Sequence, residues 1–230
     1  MWNKKSITFA FLFVLLLGTA AANGNVILIT NIDDLHVDSP PLEWGQLGPP
    51  FTEVPQYFQA NVGGLVLFNG TFAGGPGERR DEGNGWVGNF TLGDALLWTN
   101  SNGPLTLDWG FGVQGMGVQI ETGSYGSFVA QIKAFDGDTL LGTFTESGNS
   151  QPTEDGSAIF IGVKDSIRDI TAIELSVISC TGNCADFAIN QVYFRGLSLG
   201  DAVPEPTSVV LLGSGLLAGI ATLRKRSTSS

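Results

Sequence analysis

Across 230 residues the chain holds one histidine and two cysteines, and its lysines and arginines together number 11. Each scarcity removes a class of function. A serine or cysteine hydrolase would have to use His36 as its base. That residue lies in a polar, proline-rich stretch. One histidine and two cysteines at unrelated spacing do not make a tetrahedral zinc set. No segment repeats with a period of about 20 to 50 residues, which excludes a propeller or solenoid. No long amphipathic helical pattern is present either.

The few basic residues are also unevenly placed. Lys4, Lys5, Arg224, Lys225 and Arg226 sit at the two ends, and all 22 acidic residues lie between them. That leaves six basic against 22 acidic residues in the intervening region, a formal charge of −16. Phosphate binding depends on Lys and Arg contacts that release counterions, so nucleic acid is excluded as a partner. Solubility outside the cell, divalent cations and neutral glycans are all compatible with this acidity.

Both ends read as addresses. Lys4 and Lys5 precede an apolar run from Ile7 to Leu17, followed by Ala20, Ala21 and Ala22. This is the pattern of a removable signal peptide over residues 1–22, cut by signal peptidase after Ala22, with the mature chain beginning at residue 23. At the other end, Val203-Pro204-Glu205-Pro206 precedes an uncharged run from Val209 to Leu223 and then Arg224-Lys225-Arg226. As a helix the run reaches about 22 Å, short of the roughly 30 Å hydrocarbon core, and its basic end stays cytoplasmic. Gly215 and Gly219 form a GxxxG, common in such tails and also able to pack against another helix.

This order of Pro-Glu-Pro, short apolar helix and basic cluster resembles the PEP-CTERM sorting signal of exopolysaccharide-producing Gram-negative bacteria. The resemblance covers residues 203–230, roughly an eighth of the chain. It implies recognition by an exosortase, a membrane cysteine transpeptidase, and cleavage near Pro204-Glu205-Pro206 after a transient stay in the inner membrane. The alternative, a permanent single-span anchor, fits poorly unless Pro206 to Ser208 join the helix.

Between the addresses, residues 23–202 are enough for one domain. Glycine is abundant, at 32 residues, and turn residues recur between short β-branched and aromatic runs. The expected strands are Val26 to Thr30, Leu65 to Phe68, and a regular series from Trp86 onward. Pro40, Pro41, Pro49, Pro50 and Pro55 mark a long loop, and Gly70 to Gly85, with Arg79 and Arg80, a second, charged one. Met116, Val118 and Ile120 alternate with polar or small residues, as do Phe128, Ala130, Ile132 and Ala134, predicting strands with one wet face. Asp136-Gly137 predicts a type I′ hairpin between 126–135 and 139–146. Ala158 to Val163 is continuously apolar and reads as a central strand. In the last strand Phe187 and Ile189 share one parity and Val192 and Phe194 the other, which predicts a bulge near Asn190. The fold class is all-β: an antiparallel two-sheet β-sandwich of jelly-roll type, flanked by the signal peptide and a C-terminal hydrophobic helix. The stretch from Ala134 through Phe144 and Val163 to Asn190 resembles the ectodomain common to PEP-CTERM proteins, which implies a galactose-binding-like sandwich.

Few residues are candidates for chemistry. Cys180 and Cys184 bracket a three-residue turn and, in an exported chain, read as a disulfide. Trp44 and Trp86 lie in or beside the long loops, where an indole can stack on a sugar ring; Trp98 and Trp109 fall in strands and read as core. Packing is the plainer reading of all four. Asp136 and Asp138 fail the EF-hand pattern because position five is Leu140 and no glycine follows at six. A calcium site of the jelly-roll kind, built from loop carboxylates and carbonyls, stays open. The strand signature Glu-x-Asp-x-x-Glu of β-sandwich glycanases is missing. The sequon-like Asn69-Gly70-Thr71 and Asn89-Phe90-Thr91 are chance matches in a bacterial protein. The reading is an exported, non-enzymatic cell-surface or matrix protein associated with exopolysaccharide and biofilm. A glycan-binding module, calcium-dependent or not, is the alternative, and a hydrolase the third.

Overall fold

Alternating side-chain burial is the signature that runs through the computed structural model of the protein, which describes residues 25–64 and 66–197. The expected signal peptide ending at Ala22, the sorting residues Pro204, Glu205, Pro206, Arg224, Lys225 and Arg226, and the expected C-terminal helix lie outside the described residues.

Fourteen strands follow in order: β1 Ile27–Ile29, β2 Glu53–Val54, β3 Tyr57–Val62, β4 Val66–Phe72, β5 Gly77–Glu82, β6 Gly85–Trp86, β7 Ala95–Trp98, β8 Leu105–Val113, β9 Gly115–Thr122, β10 Gly126–Asp136, β11 Thr139–Ser150, β12 Ile159–Lys164, β13 Ile170–Ser179 and β14 Phe187–Arg195. They form two sheets, ordered β1-β12-β9-β14-β7-β5-β2 and β11-β10-β13-β8-β4-β3, with β6 appended to β5. Every pairing is antiparallel except that of β5 with β6. From β7 onward the chain alternates between the sheets, apart from the β10–β11 hairpin, and fills β12-β9-β14-β7 opposite β11-β10-β13-β8. That winding is an eight-strand jelly roll; β1 to β6 extend its edges.

The space between the sheets is filled by Phe68, Trp109, Val118, Ile132, Leu175 and Phe194 among others, all nearly or fully buried. Removing such apolar surface from water is the dominant favourable contribution to folding. Close cross-strand packing of aromatics on glycines tightens the second sheet. Phe58 lies across Gly70 and Phe128 across Gly148, where an added Cβ would come 2.0 and 2.4 Å from the ring.

Several expectations need correction. The hairpin is present, but Asp136 pairs with Thr139, so the loop residues are Gly137 and Asp138. Only Gly137 has positive φ, at 54°, the type II′ arrangement and not I′. The stretch 70–85 is no single loop, because Gly77–Glu82 is a strand paired with β7 and β2. The proline-rich region likewise contains the two-residue strand β2 and leads directly into β3, whose Phe58, Ala60 and Val62 point inward. Strand β9 is wet only at Gln119: loops 84–93 and 151–158 close over the rest of its outer side, and even Glu121 is buried. The bulge near Asn190 is present as a register shift between Ile189 and Val192.

Candidate functional site

The open face of the eight-stranded sheet carries the densest set of polar and aromatic side chains. Outward positions on β12, β9 and β14 bring Phe160, Gln119 and Tyr193 together along a cleft of about 460 Å³, edged by Asn31 and Ile159. Phe160 packs flat there because Gly117 lies under it; a Cβ on Gly117 would sit 2.3 Å from the ring. The rings of Phe160 and Tyr193 are 6.3 Å apart.

The bulge in β14 organises the polar part. Asn190 Oδ1 accepts from the Gln119 amide at 3.1 Å, and Asn190 Nδ2 donates to Gln119 Oε1 at 2.6 Å. Gln119 Nε2 in turn donates to the carbonyls of Gly156 and Ala158. Tyr193 donates its hydroxyl to Gln191 at 2.9 Å. Burial pushes the Tyr193 hydroxyl up, and the charges of Asp94 and Glu43 push it the same way. Burial likewise raises the Glu43 carboxyl, with a hydrogen bond from Gln191 opposing and Asp94 reinforcing. Fixed amides and a phenol along this cleft, with the carboxylates of Glu43 and Asp94 acting on the phenol, form an array suited to neutral hydroxyl-rich molecules.

Beside it lies a buried pair of acids. Glu82 and Glu121 are each 1% exposed. Glu82 Oε1 accepts from Gly88 N at 2.7 Å, while its Oε2 is buried without a partner. Glu121 accepts from Asn89 N at 2.7 Å and from the Ser150 hydroxyl. Desolvation lifts Glu82 to about 7; the Gly88 amide opposes this, and Glu121 and Glu154 add to it. Glu121 is raised too, chiefly by burial, against the lowering hydrogen bonds of Ser150 and Asn89. The Trp86 indole N–H leans toward Glu121 and lowers its pKa without reaching hydrogen-bond geometry. These acids hold loop 86–91 down on the sheet. An acid in a strand as apolar as Val118-Gln119-Ile120-Glu121 is the one signal that could have identified them.

The loop tryptophans are not free stacking platforms. Trp44, in a 3₁₀ turn over Trp44–Leu47, is fully buried and donates through Nε1 to the Asn190 carbonyl at 2.6 Å. Trp86 is 8% exposed and packs on Phe90 and Trp98. Trp109 is core, as expected, whereas Trp98 is half-buried on the outer face, its ring 4.7 Å from the Arg80 guanidinium. Arg80 also stacks under Phe51, 4.4 Å away, an exposed aromatic at φ 69°. His36 is exposed at the left-handed C-cap of the short helix α1, Ile32–Leu35. Cys180 and Cys184 are bonded, with S–S 2.03 Å, closing the turn after β13. Among the described residues no three His, Cys, Asp or Glu side chains converge as a metal cluster.

The PEP-CTERM protein-sorting motif matches residues 202–226. The chain therefore carries the tail of an exported, sorted protein with a cell-surface destination in Gram-negative bacteria, and the motif implies exosortase processing. No curated protein matches the chain significantly. Among solved structures, CsCBM6-3 from Clostridium stercorarium in complex with cellobiose is similar at 10% identity, over 69% of this chain and 95% of that one, with a TM-score of 0.25.

Proposed function

We propose that this is a non-enzymatic surface protein that associates with the exopolysaccharide matrix of its host and touches the polysaccharide through the cleft beside Gln119, Phe160 and Tyr193. The observation carrying the reading is that this cleft sets the half-buried Tyr193 ring, backed by the buried Phe160, beside the fixed amide of Gln119 on the sheet face. Sugars are recognised by that combination: ring stacking on C–H faces and multidentate hydrogen bonds to hydroxyls. The sorting tail gives a cell-surface destination, which is compatible with such a contact. The non-enzymatic part rests on Glu82 and Glu121, which are spent on backbone amides beneath a loop, out of reach of a glycosidic bond.

Protein recovered from the host surface should retain the host's purified exopolysaccharide. Tyr193→Ala should weaken retention by about 1 to 3 kcal/mol, the loss expected for a stacked aromatic, with binding compared at equal folded fraction. If wild-type protein retains no polysaccharide with or without calcium, the glycan contact is wrong and a purely structural surface role stands.

A further inference from the structure

We propose that Asp165 and Asp169 form a calcium-binding site where the loop between β12 and β13 meets the tip of the β10–β11 hairpin. Asp165 is 5% exposed. Its Oδ1 is satisfied locally, accepting from the amide and hydroxyl of Ser166 and the amide of Ile167. Its Oδ2 is buried and has no partner. Asp169 Oδ1 is also buried and without a partner. The two carboxyls lie against each other, and both being acceptors when ionised, they bond directly only if one carries a proton.

That arrangement is costly unless something positive completes it. Two orphaned carboxylate oxygens, one on the buried Asp165 and one on the part-exposed Asp169, lack their hydration and repel each other. Asp136, at the end of β10, adds a third negative charge. The nearby hairpin tip is fastened to β13, with Gly137 N donating to Thr171 Oγ1 at 2.7 Å and that hydroxyl donating to the Phe135 carbonyl. Burial first, and then Asp165, hold the Asp169 carboxyl up at about 6. The local cations are engaged elsewhere: Lys164 Nζ donates to the Asp34 carbonyl, Arg168 Nε to the Gly112 carbonyl at 3.3 Å, and Arg195 Nε lies 3.4 Å from Gln114 Oε1; among the described residues none of the ion pairs includes Asp165 or Asp169. Asp165 borders an open cleft of about 420 Å³, which gives an ion a route in.

A divalent hard cation answers both deficits, since it neutralises the pair and coordinates the orphaned oxygens. Calcium fits better than magnesium. It accepts six to eight oxygens in irregular geometry, so that two carboxylates, backbone carbonyls and water suffice, whereas magnesium demands a near-octahedral shell. The site is separate from the glycan cleft and does not depend on it.

The test uses the exported protein stripped with chelator at about pH 7.5 and then titrated with calcium chloride by calorimetry, with thermal midpoints recorded in parallel. One saturable site and a midpoint that climbs with calcium are expected, because an ion that binds only the folded state stabilises it by mass action. Asp169→Asn, at the more exposed position, should abolish both responses while remaining folded. Asp165→Asn serves as the second variant. Absence of calcium heat in the wild type overturns the site, and so does a calcium response that survives in Asp169→Asn. An equal response to magnesium chloride overturns the assignment to calcium. A wild type indifferent to calcium whose pH dependence between about 4 and 6 vanishes in Asp169→Asn would show a shared proton in place of the ion.

Discussion

Trp44 Nε1 donates a 2.6 Å hydrogen bond to the main-chain carbonyl of Asn190, 146 residues away. The bond exists because β14 slips register between Ile189 and Val192. A bulged residue leaves the ladder, so its carbonyl is free to accept from a side chain. The same residue positions Gln119 with its side chain. One irregularity thus ties the proline-rich N-terminal region to the sheet and fixes the floor of the cleft.

Trp44→Phe should therefore cost about 1 to 3 kcal/mol, chiefly by leaving the buried carbonyl of Asn190 unpaired. Trp44→Ala should cost about 3 to 5 kcal/mol through the added cavity. Urea unfolding measures both. Polysaccharide retention per folded molecule should not change; a selective loss of retention would return Trp44 to the ligand surface.

Stability should fall as pH rises from about 4.5 to about 7. Glu82 has its folded pKa lifted from the ordinary 4.5 to about 7, so in this window the folded state binds more protons than the unfolded one. Glu121 is shifted in the same direction, and Asp169, lifted from 3.8 to about 6, contributes over the lower part of the range when no cation is bound. Chelator-treated protein followed by urea midpoints across that range is the measurement. Glu82→Gln should flatten the upper part and gain about 1 to 3 kcal/mol above neutrality, since an amide keeps the acceptor for Gly88 without the buried charge. A pH-independent midpoint would contradict the burial of these acids.

Loss of the Cys180–Cys184 bond should destabilise the domain by about 2 kcal/mol, the loop-entropy contribution of so small a ring. Alkylation of the exported protein should block two thiols only after reduction, read as a mass difference. Labelling of both cysteines without reductant would exclude the bond in vivo.

C-terminal peptide mapping of surface material from the host should find nothing beyond about Pro206. The matched motif at 202–226 motivates this, since exosortase processing removes the apolar segment and its basic end. An intact Arg224-Lys225-Arg226 terminus would establish a permanent anchor.

Where local rules dominate, the chain could be read directly. The β10–β11 hairpin follows from a glycine at a turn and strict alternation on either side, although the turn sits one residue later than Asp136-Gly137 suggests. The bulge followed from a break in parity, because a period of two cannot change phase without an extra residue. Strand β5 escaped notice because Gly77-Glu78-Arg79-Arg80-Asp81-Glu82 has no apolar alternation. Its burial is made tolerable by contacts from elsewhere: an ion pair from Arg79 to Asp81, and Phe51 and Trp98 around Arg80. Strand β3 did carry alternation, obscured by the prolines before it.

By itself the sequence determined the sorting tail, the all-β class and the even cysteine pair, because each depends on residues close together in the chain. Only the tertiary structure decided that Trp44 and Trp86 are interior, that Glu82 meets Glu121, that Asp165 and Asp169 leave two oxygens stranded, and that Gln119, Phe160 and Tyr193 share a cleft. Those facts depend on which strands become neighbours. In a jelly roll, neighbours in a sheet are brought together by crossovers between sheets, and local periodicity carries no record of them.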